Sequence, residues 1–120
     1  MEVHTASLGD IPLLNAHGDI DHSTCGHLQS AMDEAFGSGH RIIFLDFDNV
    51  TYVDSGGLSV LLAGVRSLRE TGWLGVIGPN ANLRRLFEIV GLLVDPSFRV
   101  FENRDAAQAA IAELNGISGD

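Results

Sequence analysis

The stretch of sequence that decides the fold is Arg41-Ile-Ile-Phe-Leu-Asp-Phe-Asp-Asn-Val-Thr-Tyr-Val-Asp-Ser-Gly-Gly-Leu-Ser-Val-Leu-Leu-Ala-Gly-Val65. It opens with a run of apolar and aromatic residues from Ile42 to Phe47, which is typical of a buried β-strand. Beyond the paired glycines, leucine and valine recur at helical spacing as far as Leu68, which predicts one face of an α-helix. The stretch therefore predicts a strand, a turn and a helix, with Val53-Asp54-Ser55-Gly56-Gly57 as the turn.

Ser55 lies in this turn where the helix is expected to begin. Its hydroxyl is predicted to lie near unpaired backbone N–H groups and the positive end of the helix dipole, which together stabilise negative charge. A phosphate group added to Ser55 can therefore be held at this position. Serine is also among the commonest helix-capping residues, and a capping role for Ser55 is compatible with a role as phosphate acceptor.

The composition indicates one domain that is not inserted in a membrane. The chain has 120 residues, of which 45 % are apolar, and this is enough for a core of its own. Its apolar runs are far shorter than the roughly 20 residues of a membrane span, and its N-terminus lacks the features of a signal peptide. The single cysteine, Cys25, cannot form an internal disulfide bond and fits a reducing compartment, so we expect a cytoplasmic protein.

The charge of the chain disfavours nucleic acid as a partner. Sixteen acidic side chains against seven basic ones give a net charge of −9. This charge repels DNA, RNA and anionic membranes, whereas it suits a protein partner with a basic surface.

Strands and helices alternate along the rest of the chain. Further strands are expected at Val3–Ala6, Ile11–Ala16, Leu74–Ile77 and Arg99–Phe101. The caps expected for the three further helices are Ser23 or Asp21 for the first, Asn80 or Asn82 for the second, and Asp105 for the last. The apolar stripe of the second of these helices includes Val90, and Gly91 is expected to end it.

This alternation predicts an α/β fold with a mixed, mostly parallel sheet of four to five strands and about four helices. No linker or internal repeat divides the chain, so a single domain is expected over residues 3–114. Residues Gly116 to Asp120 show no pattern and are expected to fray. Because no second apolar face is evident in the pattern, we expect a monomer.

Four short motifs resemble those of a known family in their order and spacing. They are Gly18-Asp19-Ile20-Asp21, Leu45-Asp46-Phe47, Val53-Asp54-Ser55-Gly56-Gly57-Leu58, and Leu83-Arg84-Arg85-Leu86-Phe87 with Gly91-Leu92. Together they resemble the STAS domain, in the form of the small, free-standing bacterial anti-sigma-factor antagonists. The resemblance covers nearly the whole chain, from about Val3 to Leu114.

The resemblance implies a phosphorylation switch in transcription regulation. In this family the serine directly after the aspartate, here Ser55, is phosphorylated by an anti-sigma factor that is also an ATP-dependent serine kinase. The unphosphorylated form binds the kinase and frees the sigma factor, and phosphorylation breaks this binding. A PP2C-type phosphatase, with Mn²⁺ or Mg²⁺ in its own site, restores the binding, so the chain itself is expected to be no enzyme and to need no cofactor.

The resemblance also implies where the partner binds. In the family an acidic loop lies beside the phosphorylation site and within the partner interface, and this loop corresponds here to residues 19–21. The expected partner-binding residues are Asp19, Asp21, His22, Asp54, Ser55, Gly56 and Gly57.

Several of these residues also have a purely structural interpretation. Asp19 and Asp21 can be solvated loop acids, and Asp54 can stabilise the start of the helix instead of orienting Ser55 or meeting a basic residue of the kinase. Gly56 departs from the family pattern, which usually has serine or threonine after the phosphorylated serine. The second hydroxyl is therefore missing, and glycine makes the start of the helix looser.

Five histidines raise the question of a metal site. They are His4, His17, His22, His27 and His40. They are scattered along the chain, no pair has the spacing of a zinc-binding helix, and there is only one cysteine, so no metal site is expected. His22 is instead expected to contact the partner, because it follows Asp21.

Two other classes of function compete with the switch. Asp54-Ser55-Gly56-Gly57 resembles the sequence around the nucleophile of trypsin-like proteases, but those enzymes are longer, all-β and disulfide-bonded. The turn also differs from the Gly-x-Ser-x-Gly elbow, and no glycine-rich phosphate loop is present. The stronger alternative is a non-catalytic STAS scaffold, or a soluble subunit of a stress-sensing or membrane transport complex.

Overall fold

Five β-strands and four α-helices alternate in the computed structural model, which describes the backbone of residues 2–118 and the side chains of residues 2–114. The strands are β1 (Glu2–Leu8), β2 (Ile11–His17), β3 (Ile42–Asn49), β4 (Trp73–Ile77) and β5 (Phe98–Phe101). The helices are α1 (Cys25–Gly37), α2 (Ser55–Leu68), α3 (Ala81–Ile89) and α4 (Arg104–Ser118), with a 3₁₀ turn at Leu92–Val94.

The strands form one sheet in the order β1-β2-β3-β4-β5. β1 runs antiparallel to β2, and the other three pairs are parallel, because a helix crosses over between each of them. The expected fold class is confirmed. β1 is longer than expected, since every residue from Glu2 to Leu8 pairs with β2 across a turn in which Gly9 has a φ of 62°.

β3 lies in the middle of the sheet, and its alternate residues serve two apolar clusters. Ile43, Leu45 and Phe47 pack with residues of α1, α2 and α3 in the larger cluster. Phe44 points to the opposite face, where its ring centroid lies 5.4 Å from that of Trp73, in the cluster that α4 covers. The apolar run that opens the deciding stretch is therefore buried on both faces of the sheet.

The ends of α3 and α4 resolve or correct three sequence predictions. Asn80, rather than Asn82, caps α3, because its side chain accepts a hydrogen bond of 2.8 Å from the Leu83 N–H. The prediction of Asp105 as a cap is wrong, because α4 already begins at Arg104 and the Asn103 side chain accepts from the Ala106 N–H instead. Of the residues expected to fray, residues 116–118 continue α4, and residues 119 and 120 lie outside the described part.

An exposed apolar strip follows the end of α3, which corrects the expectation that no second apolar face exists. The strip consists of Ile89, Val90, Leu93 and Val94. Val90, expected in the core, is 37 % exposed because α3 ends at Ile89 and Gly91 then adopts a left-handed φ of 82°. The 3₁₀ turn that follows buries only Leu92 among its three residues.

An ion pair joins α4 to the sheet. Two guanidinium nitrogens of Arg104 lie 2.9 Å and 2.7 Å from Oδ2 of Asp46, which is only 6 % exposed. The same guanidinium donates to the Asn15 side chain on β2. A paired guanidinium is what allows a carboxylate to lie buried on β3. Asp46 belongs to a family motif, but no sequence pattern pairs it with a residue 58 positions away.

Asp48 lies two residues further along β3, where its backbone N–H donates to Asp46 Oδ1. Asp48 is an exposed residue, but the partial burial of its carboxyl group, followed by the negative charge of Asp46, raises its pKa above the ordinary value, while Arg104 acts in the opposite direction. The ionised form of Asp48 is therefore less favourable in the folded state than in the unfolded chain.

The Asp48 carboxylate is predicted to reduce stability at neutral pH. Because its pKa is raised by folding, the folded state gains relative stability as the pH falls toward the unfolded-state value of 3.8 and loses it as the pH rises. The Asp48→Asn variant is expected to unfold at a higher urea concentration than the wild type at pH 7, and this difference is expected to shrink as the pH falls toward 3.8. Asp10→Asn in the exposed hairpin turn controls for net charge, and a difference independent of pH would contradict the prediction.

The burial of the helix face predicted from the leucine spacing can be tested at Leu61, which is fully buried in the larger cluster. Leu61→Ala is expected to lower the free energy of unfolding by about 2–5 kcal/mol, because it leaves a cavity in the core. Leu93→Ala, on the exposed apolar strip, is the matched control and should change it by less than about 0.5 kcal/mol. Urea unfolding measures the change in the free energy of unfolding of each variant, and equal changes would place Leu61 outside the core.

Candidate functional site

Two loops run side by side at the edge of the sheet where the parallel strands end. They are the β2–α1 loop (residues 18–24) and the β3–α2 loop (residues 50–54). The Ile20 N–H donates to the Tyr52 carbonyl at 2.9 Å, and the Asp54 N–H donates to the Ile20 carbonyl at 3.0 Å. Because Ile20 and Val53 also form a parallel bridge, the two loops extend the pairing of β2 with β3 beyond the strands. The structure thus brings residues 19–22 and residues 54–57 together.

Asp54 caps α2 and at the same time connects the two loops. Its Oδ1 accepts hydrogen bonds from the backbone N–H groups of Gly56 at 2.8 Å and Gly57 at 3.2 Å. Its Oδ2 accepts from the His22 N–H at 3.2 Å. Of the two interpretations of Asp54, stabilisation of the helix start is therefore present in the structure. The capping interpretation of Ser55 is wrong, because Ser55 is the first residue of the helix and not its cap.

Ser55 is exposed at the first position of α2. Its Oγ lies 3.3 Å from Nε2 of His22, which belongs to the other loop. The backbone carbonyl of Ser55 accepts a hydrogen bond of 2.8 Å from the Ser59 hydroxyl. The Ser55 hydroxyl therefore combines a defined neighbour with access from solvent.

The two acidic residues of the β2–α1 loop hold the loop in place. Asp21 Oδ1 accepts from the Ser23 hydroxyl at 2.7 Å and from the backbone N–H groups of Ser23 and Thr24. Hydrogen bonds from the Ser23 and then the Thr24 side chain lower the pKa of Asp21, so it is ionised at neutral pH. Asp19 Oδ1 accepts from the Thr51 hydroxyl of the other loop at 2.7 Å. Sequence reasoning missed Thr51, because nothing local links residues 32 positions apart.

The turn formed by Asp21 also corrects the expected start of α1. α1 begins at Cys25, so its N-cap position is Thr24, and neither Ser23 nor Asp21 occupies it. Thr24 makes no side-chain capping bond to the helix. Its hydroxyl donates instead to the Asp19 carbonyl at 2.8 Å. The Asp21 carbonyl accepts a hydrogen bond of 2.7 Å from the Cys25 N–H, so the preceding turn satisfies the first N–H group of α1.

The two glycines of the site are buried, and each leaves space for a residue of the β2–α1 loop. A Cβ atom on Gly57 would lie 2.7 Å from the Ile20 carbonyl oxygen and 2.6 Å from Ile20 Cγ2. A Cβ atom on Gly56 would lie 2.8 Å from His22 Nδ1 and 3.1 Å from His22 Cα. Both distances to Ile20 are shorter than real contacts allow, so glycine at position 57 is what permits the two loops to pair.

The serine, histidine and aspartate of the site differ in arrangement from a hydrolase triad. In a triad the serine and the acid contact opposite nitrogens of the imidazole ring. Here Asp54 Oδ2 is 4.0 Å from Nε2 of His22, the same nitrogen that faces Ser55. The N–H groups of Gly56 and Gly57, which could stabilise an oxyanion, already donate to Asp54.

The described residues contain neither a metal-binding cluster nor a membrane-spanning helix. Among residues 2–114, no group of three or more histidine, cysteine, aspartate or glutamate side chains is placed to hold a metal ion. Within the helices that the structure describes, none is long and apolar enough to cross a membrane.

The fold and the paired loops define a small α/β domain that presents a serine at the start of a helix. A family model described as "Mlab, STAS domain" matches residues 3–94. The anti-sigma-B factor antagonist of Staphylococcus aureus (strain NCTC 8325 / PS 47) is 32 % identical over 76 residues, which are 62 % of this chain and 70 % of that protein. The anti-sigma-F factor antagonist RsfB of Mycobacterium tuberculosis is 27 % identical over 117 residues, covering 98 % of this chain and 89 % of RsfB.

A solved structure has the same fold. The Bacillus cell-fate determinant SpoIIAA in its phosphorylated form superposes with a TM-score of 0.70 at 19 % identity, over 91 % of this chain and 99 % of that one. The chain belongs to the STAS family, and the two relatives from S. aureus and M. tuberculosis are named as anti-sigma-factor antagonists.

The close approach of the two loops predicts that Gly57 tolerates no side chain. Gly57→Ala is expected to lower the free energy of unfolding by about 1–3 kcal/mol, because the added methyl group meets the Ile20 backbone. Gly26→Ala in α1, where nothing lies within 4 Å of the added atom, should leave stability unchanged or raise it by up to about 1 kcal/mol. Urea unfolding compares the two, and a neutral Gly57→Ala would contradict the pairing of the loops.

Proposed function

We propose that the chain is an anti-sigma-factor antagonist whose binding is switched off by phosphorylation of Ser55. Its partner is an anti-sigma factor that is also an ATP-dependent serine kinase, as in the family that the sequence resembles. The unphosphorylated chain binds this kinase and frees the sigma factor for transcription. A PP2C-type phosphatase, which carries its own metal, reverses the switch, and both reactions belong to the cytoplasm.

The observation that carries the proposal is the exposed Ser55 hydroxyl, set among carboxylates at the start of α2. Asp54 directly precedes it, and the ionised Asp21 lies in the adjoining loop. A phosphate group adds about −1.5 to −2 charges at neutral pH. A basic partner surface fits these carboxylates. The kinase has to contact Ser55 before it can phosphorylate this residue.

The free and bound states respond differently to this charge. In the free domain, water surrounds the exposed Ser55, and the dipole of α2 partly offsets the phosphate. In the interface, the phosphate is desolvated next to Asp54, whose carboxylate already occupies the N–H groups of Gly56 and Gly57. A difference of roughly 3 kcal/mol between the two states changes affinity more than a hundredfold, so no refolding is needed.

The proposed interface comprises the seven residues expected from the sequence, in two roles. Asp19, His22 and Ser55 are exposed and Asp21 is half-buried, so these four face the partner. The half-buried Asp54 and the buried Gly56 and Gly57 support them by fixing the start of α2 against the β2–α1 loop. This division assigns the partner contacts to the first group and the shape of the interface to the second.

The names of the relatives support the general role of an anti-sigma-factor antagonist. The proteins from S. aureus and M. tuberculosis are named as antagonists of anti-sigma factors, and SpoIIAA was solved in a phosphorylated form. A serine that follows an aspartate at the start of the second helix is the position at which we propose this modification in the present chain.

The switch is tested by phosphosite mapping and by binding. The chain, purified from its own host, is expected to include a species heavier by one phosphate on Ser55. Ser55→Asp is expected to bind the host's purified anti-sigma-factor kinase at least about a hundredfold more weakly than Ser55→Ala. Calorimetry or surface plasmon resonance gives the affinities.

Ser67→Asp, exposed near the other end of α2, is the matched control for added charge and should bind like the wild type. Equal affinities of Ser55→Asp and Ser55→Ala for the kinase would contradict the switch. The switch would also be contradicted if no candidate kinase, supplied with ATP, placed a phosphate on Ser55.

A second candidate function is a non-catalytic subunit of a stress-sensing or membrane transport complex. The exposed apolar strip favours it, because Ile89 and Val94 are 72 % and 86 % exposed and an obligate partner would cover them. Co-purification of the unmodified chain with such a complex, lost on Val94→Asp and unaffected by Ser55→Asp, would support this function over the switch.

A further inference from the structure

We propose that His22 is the cationic partner of the phosphate group on Ser55, and that Gly56 leaves the space in which its ring lies. The inference rests on the proposed phosphorylation of Ser55 and adds a regulatory contact within this chain.

The position of His22 is set by its backbone. Its N–H donates to Asp54 Oδ2 at 3.2 Å, which fixes the residue against the start of α2. The backbone around His22 is also held by a turn, because the N–H groups of Thr24 and Cys25 both donate to the carbonyl of Asp21. The imidazole is thus directed at Ser55, with Nε2 3.3 Å from Oγ, although the side chain is 77 % exposed.

Gly56 makes this position of the ring possible. A Cβ atom at position 56 would lie 2.8 Å from Nδ1 of His22, closer than real contacts allow. Because the ring is exposed and its side chain can rotate, an added Cβ would turn the ring away from Ser55. The same Cβ would lie 3.1 Å from His22 Cα, a contact that a backbone shift of a few tenths of an ångström relieves. The glycine that replaces the usual serine or threonine of the family is therefore matched to His22.

The chemistry of a phosphate suits this neighbour. A phosphate on Oγ places its oxygens within reach of Nε2–H, and an imidazolium forms a stronger, charge-assisted hydrogen bond to them than a neutral ring does. Two acidic residues and a thiol lie near His22 in the described part of the chain. Asp54 Oδ2 lies 4.0 Å from Nε2, Asp21 precedes His22 in the loop, and the Cys25 thiol donates to the His22 carbonyl. Among the described residues, His22 is thus the group able to carry a positive charge that lies beside Ser55 Oγ.

The sign of the pH dependence follows. Phosphate favours the protonated ring in the folded state, so protonation of His22 in the folded phosphorylated chain occurs at higher pH than in the unfolded chain. The resulting stabilisation disappears as the pH rises through the raised midpoint, and it weakens below about pH 6, where the phosphate takes up its second proton. The free energy of unfolding of the free phosphorylated chain, relative to that of the unphosphorylated chain, is therefore expected to be higher in mildly acidic than in alkaline solution.

The test uses the full chain with phosphoserine incorporated at position 55 during its synthesis, so that no kinase is required. NMR follows the titration of the His22 ring and of the phosphate between pH 5 and pH 9. The His22 midpoint is expected to move up by at least about half a pH unit on phosphorylation, whereas that of His27, an exposed residue of α1, stays unchanged. In His22→Gln, the phosphate is expected to take up its second proton at higher pH than in the wild type.

Two further variants separate this contact from general electrostatics. Gly56→Ala should reduce the shift of the His22 midpoint, because the ring is displaced while all charges remain. His22→Lys should restore the phosphate titration that His22→Gln changes, because it supplies a cation again. An unmoved His22 midpoint, or an equal shift in wild type and Gly56→Ala, would overturn the inference. Absence of phosphate on Ser55 in the host would instead overturn the proposed function, whatever the titration shows.

Discussion

The carboxylate of Asp54 is the group on which the arrangement of the site depends. It accepts three backbone hydrogen bonds, two from the first turn of α2 and one from His22 in the β2–α1 loop. The first two stabilise the start of the helix, and the third holds the neighbouring loop against it. One side chain therefore decides both where α2 begins and which residues surround the Ser55 hydroxyl.

The distribution of charge explains how such a small site can act as a switch. Asp19 and Asp21 of the β2–α1 loop are anchored by hydrogen bonds from Thr51 and Ser23, so their negative charges have fixed positions. A fixed carboxylate repels a new phosphate more predictably than a mobile one, because it cannot turn away. Elsewhere, the buried Asp46 is neutralised by Arg104, so the structural acid of β3 stays separate from those of the loops.

Most of the fold could be predicted from periodicity and from helix-ending residues. Apolar runs, helical spacing of leucine and helix-ending glycines along the chain predicted four to five strands and about four helices, and the structure has five strands and four α-helices. The errors fell at helix ends, where Ser23, Asp21 and Asp105 all had the chemistry of caps. Local sequence offers several capping residues within a few positions, and the hydrogen bonds made elsewhere by each side chain decide between them.

The sequence by itself determined the class of fold and the presence of a serine at a helix start, since both follow from interactions between residues close in the chain. Only the tertiary structure decided that His22 faces Ser55, that Asp19 binds Thr51 and that Gly57 lies against Ile20. These contacts join residues more than thirty positions apart, and they form because parallel pairing of β2 and β3 brings the loops at their ends to the same edge of the sheet.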